Sequence, residues 1–198
     1  MSVLIDEADL PQELTAEAAV EAAYCAELAE AASKLQRGLP ALIECDKDLA
    51  PYLYLNLRNR LRAVNLRCLY LDGRPRQEDQ GQVTMPMGLM GTMIAQLREA
   101  VRGPVERRIV VLPHLDLLTT SQGGLTAEAR EVIPLLYEVP EQVWLAFRDP
   151  SLPLLPVVAA RFVDRLIVPR PTGGNQAAGP ATAEGERAAP APAEERSS

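Results

Sequence analysis

Apolar side chains recur at spacings of three and four residues near the start of the chain, which predicts an amphipathic helix over residues 16–36. Thr15 is suited to cap its first turn and Gly38 to end it, so we assign residues 15–37 to an N-terminal helix. Its apolar face is formed by Val20, Tyr24, Leu28, Ala31 and Leu35. We expect this face to pack on the rest of the chain; packing on a partner protein is the alternative.

After this helix, short apolar runs alternate with amphipathic runs, as strands alternating with helices do. The predicted strands are residues 41–45, 66–71, 108–112, 142–147 and 165–168. The predicted helices are residues 52–64, 87–101, 125–137 and 152–161. Residues 109–112 and 143–146 are apolar on both faces, which is typical of central parallel strands. The pattern predicts an α/β fold, a three-layer sandwich around a five-stranded parallel sheet.

The two ends of the chain differ from this central pattern. Residues 172–198 contain no Val, Leu, Ile or aromatic residue and are rich in Ala, Pro, Gly and Glu. Such a segment buries too little apolar surface to offset the entropy of ordering it, so we predict a disordered tail. We also predict that residues 1–14 are flexible, which leaves residues 38–171 as the α/β domain.

Composition narrows the classes of partner and site. The 198 residues carry 27 acidic and 20 basic side chains, a net charge of −7, which argues against nucleic acid as a partner. Three widely spaced cysteines argue against a disulfide framework and favour a cytoplasmic location. No apolar run is long enough to cross a bilayer, so we expect no membrane insertion. We expect no metal site, because His114 is the single histidine in the sequence. The acidic residues Glu44, Asp46 and Asp48 are closely spaced, and we interpret them as a solvated cluster rather than a cation site.

Several motifs follow one another in the domain in a recognisable order. They are the strand 109–112 continued by Pro113-His-Leu-Asp116, the strand 143–147, a Pro- and Leu-containing helix over 152–160, Arg161-Phe-Val-Asp-Arg165 and the final Val168-Pro169. In this order they resemble the Walker B strand, sensor strand, Arg-Phe-Asp-Arg signature (here with Val163 inserted) and last strand of an AAA+ ATPase core. The resemblance covers residues 40–171 and implies a P-loop NTPase-type sheet of strand order 5-1-4-3-2.

The same resemblance implies a phosphate-binding loop after the first strand, and the residues there depart from one. A P-loop needs glycines whose N–H groups surround phosphate, a Lys for the terminal phosphates and a Ser or Thr for magnesium. This chain has Cys45-Asp-Lys-Asp-Leu-Ala-Pro-Tyr52, which contains no glycine. Pro51 and Tyr52 occupy the places of the Lys and the Ser or Thr. Asp46 would repel a triphosphate, and Lys47 lies too early in the loop.

The other nucleotide positions of the family are altered as well. Pro113 and His114 take the places of the magnesium-binding Asp and the water-activating Glu, and Asp116 matches a second Asp of lesser chemical importance. Phe147 or Arg148 takes the place of the polar sensor residue. The family's helical lid would follow the last strand, where this sequence continues into residues 172–198. We therefore predict a degenerate AAA+ module without a cofactor.

One catalytic element of the family is kept. By the resemblance, Arg161 is a candidate arginine finger, a residue that reaches into a neighbouring subunit's site and stabilises charge on the transferred phosphoryl group. Arg165 is a weaker candidate for the same role. The alternative is that Arg161 forms a structural ion pair with an acid such as Asp164.

Two classes of function remain open. The first is a non-catalytic interaction or regulatory module that works with an intact AAA+ ATPase, with itself or within a larger assembly. The second is a divergent ATPase that still binds ATP and magnesium through Lys47 and backbone groups.

Overall fold

A computed structural model describes residues 15–74, 88–103 and 108–169. The predictions for residues 1–14 and 172–198 lie outside these ranges. The sheet has five strands: β1 (Ala41–Glu44), β2 (Arg67–Tyr70), β3 (Arg108–Leu112), β4 (Val143–Arg148) and β5 (Asp164–Ile167). All four neighbouring pairs are parallel and their order is β2-β3-β4-β1-β5. This is the predicted order 5-1-4-3-2 read from the other edge, so the parallel five-stranded sheet and its topology are confirmed.

Six α-helices and one 3-10 turn complete the described part of the chain. The helices are α1 (Ala16–Ala23), α2 (Cys25–Gln36), α3 (Ala50–Ala63), α4 (Leu89–Arg102), α5 (Ala127–Glu138) and α6 (Pro156–Ala159), and the 3-10 turn is Leu115–Leu118. The buried apolar residues form two core clusters, one on each face of the sheet. The first contains residues of α1, α2 and α3, and the second contains residues of α4, α5 and α6. Helices cover both faces of the sheet, and the three-layer prediction is confirmed.

The continuous N-terminal helix predicted over residues 16–36 is wrong, because the helix is interrupted at Tyr24. This residue has φ −124° and ψ 29°, outside helical values, and separates α1 from α2. Its side chain is buried, and its hydroxyl donates to the Pro169 carbonyl at 2.5 Å. The Ala- and Glu-rich sequence favours an unbroken helix, so a contact with the far end of the domain outweighs local propensity. The predicted apolar face is nevertheless buried throughout.

The helix predicted over residues 152–161 is also shortened, to the four residues of α6. Proline disfavours the helical conformation in the residue that precedes it. Leu155, just before Pro156, accordingly has φ −68° and ψ 132°, and the helix begins only at Pro156. α3 by contrast includes Pro51 in its first turn, where the missing N–H costs no helical hydrogen bond.

Parallel strands bring all their carboxyl ends to one edge of the sheet, and this edge carries most of the candidate residues. The loop after β1, the 3-10 turn after β3 and the last residue of β4 meet there. Among the residues the structure describes, no helix has the length and apolar character needed to cross a bilayer.

Candidate functional site at the carboxyl edge of the sheet

An ion cluster joins the last residues of β1 and β4 to Arg165, the second residue of β5. Glu44 of β1 lies opposite Arg148 of β4, and their side chains are only 2% and 3% exposed. Arg148 Nη1 donates to Glu44 Oε1. Arg165 of β5 donates to the same carboxylate through Nε and Nη2, at 2.8 and 2.9 Å. One carboxylate therefore holds two guanidinium groups.

The charges in this cluster do not balance. Two arginines against one glutamate leave one positive charge, and Arg165 brings it to the surface because its side chain is 54% exposed. Arg148 Nη2 is buried and has no hydrogen-bond partner among the described residues. Arg148, predicted as a sensor-position residue, is thus committed to Glu44. Sequence reasoning missed this role of Glu44, although a charged residue at the end of an otherwise apolar strand was a visible signal.

A second ion pair lies beside the loop after β1. Lys47 Nζ is 2.5 Å from Asp116 Oδ2. The Lys47 side chain is half-exposed, whereas the Asp116 side chain is 2% exposed. The contact is ionic, since neither Asp116 oxygen accepts a well-aligned hydrogen bond from the described residues. The lysine of this loop is therefore matched to a buried carboxylate that follows β3.

We expect Lys47→Met to lower the free energy of unfolding by about 1–2 kcal/mol. Removing the ammonium leaves the buried Asp116 carboxylate unpaired, and the exposed half of Lys47 moderates the loss. Urea unfolding measures the change.

The matched control is Arg98→Met, which removes the partner of Glu131 at 2.5 Å in a pair with both side chains half-exposed. It should cost less than about 1 kcal/mol. Equal losses in the two variants would contradict a special role for the Lys47–Asp116 pair.

The backbone N–H groups around the start of α3 form hydrogen bonds within the chain. The N–H groups of Leu49 and Ala50 both donate to the Asp46 carbonyl, at 2.9 and 3.3 Å. Those of Tyr52 and the following leucine donate to the Leu49 carbonyl, at 3.1 and 3.0 Å. Pro51 has no N–H. Over residues 49–53 the backbone donors are therefore bonded within the chain or, at Pro51, missing.

His114 lies on the other side of this edge, after β3 and the buried Pro113. It lines a cavity of about 420 Å³ whose other lining residues are Pro51, Tyr54, Leu55, Tyr70, Asp72, Arg74 and Leu89. Burial lowers the pKa of His114 below its ordinary value, against the nearby Asp116 carboxylate that raises it. The imidazole is therefore neutral at neutral pH.

This pKa shift predicts a contribution to acid sensitivity. An unfolded histidine takes up a proton as the pH falls through about 6.5, while folded His114 resists protonation until lower pH. The unfolded state then binds more protons, so the stability that neutral His114 provides above this pH is lost as the pH falls. Urea unfolding at about pH 7.5 and about pH 5 should show a smaller loss for His114→Gln than for the unmodified chain. Identical losses would contradict the prediction.

Arg161 lies at the opposite, amino end of the strands. Its Nε donates to the Leu136 carbonyl at 2.7 Å, and its Nη2 donates to the carbonyls of Pro140 and Gln142 at 3.3 and 3.0 Å. The guanidinium carbon is 5.9 Å from the ring centroid of Trp144. Burial lowers the pKa of Arg161.

The alternative prediction, an ion pair between Arg161 and Asp164, does not agree with the contacts of either residue. Arg161 contacts backbone carbonyls. Asp164 Oδ1 is 2.7 Å from Lys34 Nζ, so α2 supplies the cation. Arg161 instead ties the end of α5 to the start of β4.

No protein-family model matches the chain, and no curated protein matches it. Among solved structures, a chain from the structure of the E. coli MS115-1 HORMA:CdnC:Trip13 complex is similar to it, with a TM-score of 0.40 and 16% identity. The similarity covers 77% of this chain and 56% of that chain.

Proposed function

We propose that the chain is a degenerate, AAA+-like module that does not hydrolyse ATP and that acts through contacts with other proteins. Its candidate partners are an intact AAA+ ATPase or further copies of itself. The proposal rests first on the resemblance of its motifs to the AAA+ core, which the parallel strand order β2-β3-β4-β1-β5 is compatible with.

The absence of catalysis is supported above all by the loop after β1. In a P-loop, backbone N–H groups point outward and surround phosphate. Here the N–H groups of Leu49, Ala50 and Tyr52 are bonded within the loop and first turn, and Pro51 has none. Lys47, the one cation in the loop, is paired with Asp116.

The positions that follow β3 support the same proposal. Pro113 has no side-chain ligand for magnesium, and His114 is a neutral imidazole with a lowered pKa rather than a carboxylate. Nucleotide binding of the P-loop type would require changes both in the loop after β1 and at the positions after β3. Arg161 is the residue that this proposal assigns to a partner's site, and acting there requires it to leave the carbonyls it now contacts.

Titration of the chain with ATP and magnesium by isothermal calorimetry tests this proposal. We expect no saturable heat, and the same trace for Lys47→Met. Micromolar binding would overturn the proposal, and its loss in Lys47→Met would assign that binding to the divergent-ATPase alternative.

A further inference from the structure

The outer edge of β5 is unpaired in the part of the chain that the structure describes. β5 is the last strand of the sheet and pairs only with β1. The N–H groups of Asp164 and Val168 donate to the carbonyls of Pro40 and Glu44, at 3.3 and 2.8 Å. Successive residues of a strand direct their backbone groups to opposite sides. The N–H and C=O of Arg165, between those two residues, therefore point away from the sheet.

The side chains along this edge are also uncovered. Arg165 pairs in register with Leu42, whose side chain belongs to the core on the α4–α6 face. On that face the Arg165 side chain is 54% exposed. Exposure is 72% for Val163 and 61% for Ile167. We call Val163, Arg165 and Ile167 the β5 edge.

The β5 edge carries a positive charge that is held in place. Arg165 uses Nε and Nη2 on Glu44, and Glu44 is shared with Arg148. An arginine on an edge strand usually protects it from pairing with other chains. Here the Arg165 guanidinium lies against Glu44 on the face of the sheet. Because the side chain is 54% exposed, a second carboxylate can still contact it.

We propose that the β5 edge binds an extended segment of a partner protein as a sixth strand, and that alternate positions of this segment carry an aliphatic, an acidic and an aliphatic side chain. Backbone hydrogen bonds to Arg165 and Ile167 supply the attachment, as in other cases of strand addition. The aliphatic side chains cover Val163 and Ile167, and the carboxylate meets the unbalanced charge of the Glu44 cluster. The inference rests on the proposed role as a protein-interaction module.

Charge complementarity favours this occupant over a second copy of the chain. A second β5 brings another arginine to the same edge and no additional carboxylate at that position, because Asp164 is bound to Lys34. Residues 172–198 contain no large aliphatic side chain to cover Val163 and Ile167.

The test uses two-dimensional ¹⁵N–¹H spectra of the full chain and the peptide acetyl-Val-Thr-Glu-Thr-Val-amide at millimolar concentration, in which the two valines and the glutamate share one face of an extended strand. We expect saturable shifts centred on the amides of Val163, Arg165 and Ile167. The same peptide with a lysine in place of the glutamate should bind about fivefold more weakly. A peptide with N-methylated backbone amides should not bind, since it cannot pair as a strand.

Charge reversal on the protein gives the matched comparison. Arg165→Glu should reverse the preference, binding the lysine peptide about fivefold better than the glutamate peptide. Should Arg165→Glu fail to give a folded spectrum, Arg165→Gln should abolish the preference between the peptides. No shifts at the β5 edge, shifts equal for the two peptides, or a dimer paired through β5 would each overturn the inference. None of these outcomes changes the result expected from the ATP titration. Conversely, binding of ATP would overturn the proposed function without changing the shifts that the peptide causes.

Discussion

Replacing Glu44 by glutamine should lower the free energy of unfolding by about 3–5 kcal/mol, measured by urea unfolding. The Glu44 carboxylate accepts hydrogen bonds from both the buried Arg148 and the half-exposed Arg165. Glutamine keeps the shape of the side chain but removes the carboxylate charge that the buried Arg148 guanidinium contacts. Breaking one partner of a buried ion pair is costly for this reason.

Two comparisons show whether burial of charge is the cause. Glu30→Gln removes an exposed carboxylate that contacts Lys34 at 2.6 Å one helical turn away, and it should cost less than about 1 kcal/mol. The double variant Glu44→Met with Arg148→Met removes both buried charges and should recover most of the lost stability. If Glu44→Gln costs no more than Glu30→Gln, the cluster is not the buried support that the contacts describe.

The fold could be predicted from the sequence where a single local pattern decides it. The strand over residues 108–112 has the predicted bounds, because a short, unbroken run of β-branched and aliphatic residues is typical of a buried parallel strand. The break at Tyr24 could not be predicted, since it accompanies a hydrogen bond to Pro169, 145 residues away. The start of α6 at Pro156 follows the local rule that the residue before a proline avoids helical backbone angles. The prediction of a longer helix relied instead on the apolar pattern of the segment.

The candidate site was predicted less completely, because its contacts depend on register across the sheet. Glu44 is 104 residues from Arg148 and 121 residues from Arg165, and no spacing in the sequence connects them. The pairing of Lys47 with Asp116 likewise arises because the ends of β1 and β3 lie at one edge. Family resemblance singled out Arg148, Lys47, Asp116 and Arg165 as nucleotide or finger positions, and the structure places all four in ion pairs within the chain.

Arg161→Ala is expected to lower the free energy of unfolding by about 2–3 kcal/mol. The substitution removes a cation that donates to three backbone carbonyls and lies over Trp144. Leu136 lies in the last turn of α5 and Gln142 directly precedes β4, so the connection between these two elements loosens. Arg161→Lys should recover little, because an ammonium cannot reach three carbonyls with the planar set of donors that guanidinium provides.

The proposed role of Arg161 in a partner's site predicts a separate effect, measured as the ATPase rate of an intact AAA+ partner in complex with this chain. A finger acts on charge that develops in the transition state, so Arg161→Ala should lower the partner's kcat more than it changes its KM for ATP. Lys47→Met is the control, since it destabilises the domain at the opposite end of the strands and leaves Arg161 in place. Two results would make Arg161 a structural residue only. In the first, Lys47→Met lowers the partner's ATPase rate as much as Arg161→Ala does. In the second, neither variant lowers the rate although the complex stays assembled. If Arg161→Ala alone lowers it, the guanidinium must exchange its three carbonyls for the partner's phosphoryl group when the two proteins assemble.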